Sequence, residues 1–160
     1  MANHVIEVES GHYFVSPLFF VNYAEDFLEA SNSHFSLKPF SPVKYYLVCH
    51  SIELSLKAYL LLSGVSKNDI RKRSLGHNLS NILEKCEELG IENIVQISNA
   101  QKIMLKELNE WYSRKGFEYF EVTNLVAGAG SLPDAEIAIE LAALLISKLK
   151  EPCKDEANKP

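Results

Sequence analysis

The segment YYLVCHSIELSLKAYLLLSG, residues 45–64, places the strongest constraint on the fold of this chain. Ser41 and Pro42 precede it in the order typical of a helix start, and Gly64 stands where a helix commonly ends. At about 100° per residue, its apolar side chains cover nearly the whole circumference of the predicted helix. A helix that is apolar on nearly all sides is a buried one. We therefore expect it at the centre of a helical bundle.

Helical spacing of apolar residues, together with capping residues, predicts further helices on both sides of this segment. A first helix is predicted from Pro17 to about Ala30. The last helix opens with Ser131, which is expected to cap it towards Asp134. This last helix is predicted over 132–150. Two other helices are predicted over 77–90 and 94–113, with about two further helical turns after Ser66.

These elements predict an all-α fold, an antiparallel bundle of four to five helices that forms one domain over residues 16–150. Residues 1–15 are expected to form an N-terminal extension, and the polar, proline-containing segment 151–160 a frayed tail. FEYFEVTN, residues 117–124, fits either a short extended piece or an ordered loop. VAGAGS, residues 126–131, is expected to be a flexible hinge.

The composition is that of a globular domain with a sizeable core, at 47% apolar and 23% charged residues in a chain of 160. The formal charge of −5 argues against a protein that coats nucleic acid.

There is no signal-peptide pattern and no apolar run of membrane-spanning length, so we expect a cytoplasmic protein with no membrane partner. Cys49, Cys86 and Cys153 lack the spacing of a zinc site or a disulfide framework. Neither a glycine-rich phosphate loop nor a hydrolase motif is present, so neither a metal nor a cofactor is expected.

Three polar residues within the apolar helix, His50, Glu53 and Lys57, are the first candidates for a functional site. They lie on one stripe about 60° wide. Glu53 and Lys57 form an i, i+4 pair in the favourable order, which on an exposed face would be an ordinary ion pair. On a helix with few positions free to face water, the same residues would need buried partners and could line a pocket. The sequence leaves both interpretations open.

Two further candidates follow this helix in the chain. His77 comes after Gly76 at the entry to the next predicted helix. It either caps that helix or, because its charge changes near neutral pH, binds an anion or exchanges a proton. The basic run from Lys67 to Arg73 is either a solvated face or a patch in which Arg71 or Arg73 contacts phosphate. A group of aromatic residues is expected to lie mostly in the core, although one of its tyrosines could stack on a base at the rim of a pocket. The group consists of Trp111, Tyr112, Phe117, Tyr119 and Phe120.

Three segments together resemble the HEPN superfamily, the higher eukaryote and prokaryote nucleotide-binding domains. They are HSIELSLKAYLLLSG, LGHNLSNILEKCEELG and LNEWYSRKGFEYFEV. The resemblance lies in a Glu-x-x-x-Lys-Ala helix that ends in Gly, a following Gly-His-x-Leu element, and a tyrosine-containing segment before the last helix. It covers about residues 15–150.

This resemblance implies a bundle of four or five antiparallel helices that often forms a homodimer. It also implies RNA cleavage in toxin and defence systems, partnership with a nucleotidyltransferase, or binding of a nucleotide or RNA. Nuclease members carry an Arg followed by His four to six residues later, at the dimer interface, and Arg71 and His77 meet that spacing. Here the two residues lie in a connection rather than in a later helix, and the predicted final helix has neither Arg nor His. This departure argues against cleavage.

The leading hypothesis is a non-catalytic HEPN-like module that binds a nucleotide, RNA or a protein partner, in a toxin–antitoxin or defence context. Its pocket is expected where the polar stripe meets the start of the 77–90 helix. One alternative is a metal-independent ribonuclease that uses Arg71 and His77 across a homodimer. The other is a purely structural interaction bundle. The predicted ligand-binding residues are His50, Glu53, Lys57, Arg71, Arg73 and His77.

Overall fold

A computed structural model describes residues 16–37, 41–119 and 132–159 of the chain. The secondary structure within these ranges is entirely helical, so the predicted all-α class is confirmed. The elements are α1 (Pro17–Ser33), α2 (Pro42–Leu62), α3 (Lys67–Ile70), α4 (Leu79–Glu88), a 3-10 turn (Ile91–Asn93), α5 (Asn99–Tyr112) and α6 (Ala135–Ala157).

Helix α2 lies at the centre of the bundle, as its apolar sequence predicts. It contacts each of the other α-helices that the structure describes. From Val48 to Leu60, every residue except His50 and Leu54 is buried. The two serines within this stretch are accommodated because their hydroxyls donate to main-chain carbonyls, Ser51 to Ala24 at 2.7 Å and Ser55 to Ser51 at 2.9 Å. Because α2 is buried on nearly all sides, its polar groups depend on partners within the helix itself or from its neighbours.

Helices α1, α2 and α6 pack against one another, and α4 and α5 cover a further side of α2. The serine hydroxyl bonds from Ser31 to the Lys44 carbonyl and from Ser51 to Ala24 show that α1 and α2 run in opposite directions. Helices α2 and α6 begin at the same end, where the Tyr45 hydroxyl donates to the Pro133 carbonyl. The largest fully buried apolar side chains are Ile52, Leu56, Leu60, Leu79, Ile82, Ile91, Leu105, Leu108, Leu141, Leu145 and Leu149.

The start of α4 differs from the sequence-based expectation for His77. Asn78 is the N-cap, and its side-chain oxygen accepts from the Asn81 main-chain N–H at 3.0 Å. His77 therefore precedes the helix and does not cap it. The short asparagine side chain reaches back to the exposed N–H groups of the first turn better than an imidazole does, which leaves His77 free for contacts elsewhere.

The start of α5 also differs from the sequence-based expectation. Gly90 adopts a left-handed conformation (φ 82°) that ends α4, and a 3-10 turn follows. The helix begins at Asn99 and not near residue 94, because Ser98 and Gln101 form a reciprocal capping box. Helical spacing of the apolar residues between 94 and 98 predicts a helix, but after a turn at Ile94 the chain is irregular as far as Ser98.

The predicted frayed tail at 151–160 is wrong, because α6 continues to Ala157. Pro152 suggested a helix end, since proline lacks the N–H that would bond one turn back. However, Leu145, Leu149 and Cys153 follow one another at i+4 spacing, and all three are buried. Continued packing along this face outweighs the missing hydrogen bond. At the other end, Asp134 caps α6 by accepting from the Glu136 N–H at 3.0 Å.

Most of the described aromatic residues predicted for the core are packed. Phe117 is buried, with its ring stacked against Tyr45 at 5.5 Å and Trp111 at 6.2 Å. Tyr112 is also buried, whereas Tyr119 is exposed.

Several sequence-based expectations concern residues outside the described ranges. These are the extension at 1–15, the hinge at 126–131, the cap at Ser131, Phe120 and most of the possible extended piece at 117–124. None of the described helices has both the length and the apolar character that a membrane crossing requires.

We expect the last turns of α6 to contribute to stability. A chain truncated after Lys150 loses the burial of Cys153, and its free energy of unfolding should fall by about 1 kcal/mol or more. A chain truncated after Ala157 is the matched control and should unfold like the full-length protein. Urea titration followed by circular dichroism measures both. Equal stability of the two truncated chains would contradict the contribution of this packing.

Candidate functional site

The side chain of Glu53 lies at the centre of a buried hydrogen-bonded group. It is only 2% exposed. Lys57 donates to its Oε1 at 2.6 Å, and the hydroxyl of Tyr112 donates to its Oε2 at 2.6 Å. His77 Nδ1 lies 3.0 Å from the same Oε2. We call the residues His50, Glu53, Lys57, His77 and Tyr112 the Glu53 cluster.

The cluster joins three separate parts of the chain. Glu53 and Lys57 are one turn apart on α2, Tyr112 is the last residue of α5, and His77 belongs to the connection before α4. Lys57 also donates to the main-chain carbonyl of Gly76 at 2.7 Å. The same ammonium group therefore neutralises Glu53 and holds the connection that carries His77.

Residues 71–78, which we call the α3–α4 loop, are held by further side-chain bonds to main-chain groups. The side chain of Asn109 accepts from the Leu79 N–H at 2.8 Å and contacts the Asn78 side chain at 3.2 Å. Asn81 donates to the Ser74 carbonyl at 3.0 Å. These side chains bond to main-chain groups that have no partner in a helix or a sheet. They hold the loop against α4 and α5.

Glu53 is ionised in this environment despite its burial. Burial by itself raises the pKa of a carboxyl group, but the nearby His50 ring, the charge and hydrogen bond of Lys57 and the hydrogen bond from the Tyr112 hydroxyl outweigh this effect. They lower the pKa of Glu53 from 4.5 to about 2. Burial and the adjacent Glu53 charge raise the pKa of Tyr112, so its hydroxyl keeps its proton. The cluster is therefore a buried carboxylate surrounded by donors.

His50 is at the inner edge of the cluster. Its Nδ1 lies 2.9 Å from the Tyr112 hydroxyl and 3.7 Å from Glu53 Oε2. The ring stacks on Tyr46 at 5.8 Å and meets the edge of Phe27 at 4.5 Å. These contacts enclose most of the imidazole.

His77 and the two arginines form the exposed side of the site. The His77 side chain is 49% exposed, while its Nδ1 is bonded to Glu53. Arg71 and Arg73 are exposed on the α3–α4 loop, and neither guanidinium is hydrogen-bonded or ion-paired within the described part of the chain. Lys72 between them pairs with Asp69 at 2.6 Å. The structure thus joins four predicted site residues, His50, Glu53, Lys57 and His77, and leaves the two arginines outside the cluster.

Sequence analysis did not assign Tyr112 to this site. It placed Tyr112 only in an aromatic group, although the chain does contain a usable signal. A buried carboxylate has two oxygens with several acceptor positions, and a single lysine cannot satisfy them. This excess predicts another donor from a neighbouring helix. The sequence does not show which tyrosine supplies this donor, because the answer depends on how α5 packs against α2.

Other parts of the described structure offer no comparable site. No described group of three or more His, Cys, Asp or Glu residues could hold a metal ion. The free cysteines Cys49, Cys86 and Cys153 are buried, and burial raises the pKa of each thiol, which disfavours the reactive thiolate. An open groove of about 270 Å³ lies between α4 and α5, and another of about 250 Å³ lies beside the 3-10 turn and the segment that follows it. The Glu87–Lys102 ion pair lines both, and no residue of the Glu53 cluster lines either.

No family model, no curated protein and no solved structure significantly matches this chain. The resemblance to the HEPN superfamily therefore rests on the quoted motifs, and it stays a prediction.

Acid should destabilise the fold through Glu53. A carboxyl group whose pKa is lower in the folded chain stabilises the fold above its unfolded-state pKa, and this contribution is lost as the pH falls through the folded-state value. For Glu53 the shift to about 2 corresponds to about 3 kcal/mol, lost between about pH 5 and pH 2. Urea unfolding at several pH values measures the loss.

The variant Glu53→Gln should lack this part of the acid dependence. The control Glu136→Gln removes an exposed carboxylate that pairs with Lys44, and it should keep the wild-type dependence. If wild type and Glu53→Gln lost the same free energy between about pH 5 and pH 2, Glu53 would not be ionised as described.

Proposed function

We propose that this chain is a non-catalytic HEPN-like module that binds the phosphate of a nucleotide or RNA at the α3–α4 loop. The observation that carries the proposal is a half-exposed imidazole, His77, fixed by a buried carboxylate. It lies on a loop with two exposed arginines that pair with no side chain among the described residues. Guanidinium and imidazolium groups are donors that recognise phosphate oxygens. The loop provides two guanidinium groups and one imidazole that can take up a proton.

Local charge supports a phosphate ligand although the whole chain is acidic. The α3–α4 loop contains Arg71, Lys72, Arg73 and His77 and has no acidic residue. Since Lys72 is engaged by Asp69, the two arginines supply the free positive charge. A small, fixed basic site on a chain of net charge −5 favours recognition of one or a few phosphates over coating of long nucleic acid.

In this proposal the buried residues of the site position the loop and do not contact the ligand. Glu53 and Lys57 bond to each other and to neighbouring groups, and both are buried. Their role in this proposal is to hold His77 and the Gly76 carbonyl in place. A ligand would then meet the loop on its solvent side.

A metal-independent ribonuclease is the second candidate. One observation favours it: the Glu53 bond holds one nitrogen of His77, and the other nitrogen belongs to a half-exposed ring that could exchange a proton with a ribose hydroxyl. One such histidine per chain would serve only as one of the two proton-transfer groups. Cleavage would therefore require Arg71 and His77 of a second copy.

Binding of AMP, ATP and a short single-stranded RNA, measured by calorimetry or fluorescence anisotropy, tests the proposed function. The double variant Arg71→Gln/Arg73→Gln should weaken binding of the preferred ligand by about tenfold or more, because each lost charged contact is worth about 1–2 kcal/mol. Lys148→Gln removes an exposed cation on α6 and should leave the affinity unchanged. Equal affinity of wild type and the double variant would contradict the assignment of the loop.

The same RNA distinguishes binding from cleavage. The proposed module should bind the RNA and leave it intact. RNA cleavage that is lost in His77→Ala, in protein prepared identically, would overturn the non-catalytic assignment and support the ribonuclease.

A further inference from the structure

The bond between His77 and Glu53 determines which ring nitrogen of His77 carries a hydrogen. Glu53 is ionised, and an ionised carboxylate only accepts hydrogen bonds. His77 Nδ1 lies 3.0 Å from Glu53 Oε2, so Nδ1 must be the donor. In the neutral imidazole the second nitrogen, Nε2, then has a lone pair and no hydrogen.

Glu53 also determines the tautomer of His50, through Tyr112. The Tyr112 hydroxyl has one hydrogen, and it donates this hydrogen to Glu53 Oε2 at 2.6 Å. The phenol oxygen can therefore only accept from His50, whose Nδ1 lies 2.9 Å away. His50 Nδ1 must also carry a hydrogen. One buried carboxylate thus sets the tautomers of two histidines, and Tyr112 is the positioning residue for the second.

A fixed tautomer changes what His77 offers to an anion. The oxygens of sulfate or of a phosphate dianion are acceptors, and the lone pair on Nε2 of neutral His77 would repel them. An unrestrained neutral histidine could move its hydrogen to Nε2 and bind an anion without a change of charge. His77 cannot do this without giving up its bond to Glu53. It can donate from Nε2 only after taking up a proton there.

We propose that Glu53 makes His77 a proton-gated anion-binding group, so that an anion binds the α3–α4 loop together with one proton taken up from solvent at His77 Nε2. This inference rests on the proposed phosphate-binding function and adds its regulation by pH. The proton adds to the imidazole lone pair, and the Nδ1 hydrogen stays in its bond to Glu53. No other bond breaks.

The charges around His77 are compatible with this gate. Lys57 is already paired with Glu53, and the first turn of α4 carries no acidic residue that would compete with an anion. The titratable and charged groups of the Glu53 cluster and the loop are Glu53, Lys57 and His50 on α2, Tyr112 on α5, and Arg71, Lys72 and Arg73 on the loop, with Asp69 of α3 paired to Lys72.

The tautomers can be measured without any ligand. Nitrogen-15 NMR of the imidazole rings at about pH 8, where histidines are mostly neutral, should show the hydrogen on Nδ1 in both His50 and His77. In Tyr112→Phe, His50 should lose this preference, whereas His77 should keep it because it bonds to Glu53 directly. A hydrogen on Nε2 of neutral His77 in the wild type would overturn the gate.

Sulfate is the suitable anion for the binding test, because it remains a dianion near neutral pH, whereas phosphate esters take up a proton there. Sulfate affinity, followed by the ring signals of His77, should fall as the pH rises, by about tenfold for each pH unit in the range where free His77 is neutral. His77→Gln keeps an amide donor that needs no proton, so its sulfate affinity should depend little on pH. Lys148→Gln should retain the wild-type pH dependence.

The outcomes separate this inference from the proposed function. Sulfate binding that is independent of pH in the wild type would overturn the gate and leave phosphate binding in place. Absence of sulfate binding at every pH, together with no nucleotide or RNA binding, would overturn both. A tenfold pH dependence that persists unchanged in His77→Gln would assign the gate to another group and overturn the role of His77.

Discussion

The ionised carboxylate of Glu53, buried in the middle of the most apolar helix, is the interaction on which the rest of the site depends. A buried charge is tolerated only when opposite charge and hydrogen bonds replace the water it loses. Lys57, Tyr112 and His77 supply this replacement from α2, α5 and the α3–α4 loop. Loss of one partner of a buried pair typically costs about 3–5 kcal/mol. Helix α2, helix α5 and the α3–α4 loop therefore cannot shift relative to one another without losing one of these bonds.

This dependence connects the stability of the bundle with its proposed function. Lys57 bonds both to Glu53 and to the Gly76 carbonyl, so the group that neutralises the carboxylate also anchors the loop. His77 is held at one ring nitrogen while half of its side chain faces solvent. The structural and the binding interpretations of the polar stripe are thus compatible. The buried residues hold the loop, and the exposed residues would meet the ligand.

The all-α class and four of the five residues of the Glu53 cluster could be predicted from the sequence, and the differences elsewhere have identifiable causes. The apolar circumference of α2 predicted its central position, and its few free positions indicated partners for Glu53. The cap at Asn78, the burial of Cys153 beyond Pro152 and the contact of Tyr112 with Glu53 depend on tertiary packing. At each of these places the local sequence pattern predicts a different structure. Such a pattern reflects the spacing of residues along one helix and contains no information about the helix packed against it.

The ionisation of Glu53 is the central claim, and carbon-13 NMR of its side-chain carboxyl group tests it most directly. The carboxyl signal of Glu53, assigned by comparison with Glu53→Gln, should stay at the position of an ionised group through the acid range in which exposed glutamates titrate. It should change only near pH 2, the value to which its surroundings lower its pKa. A transition at the ordinary glutamate value near 4.5 or above would contradict this account, because a protonated Glu53 would no longer require Nδ1 of His77 to be a donor.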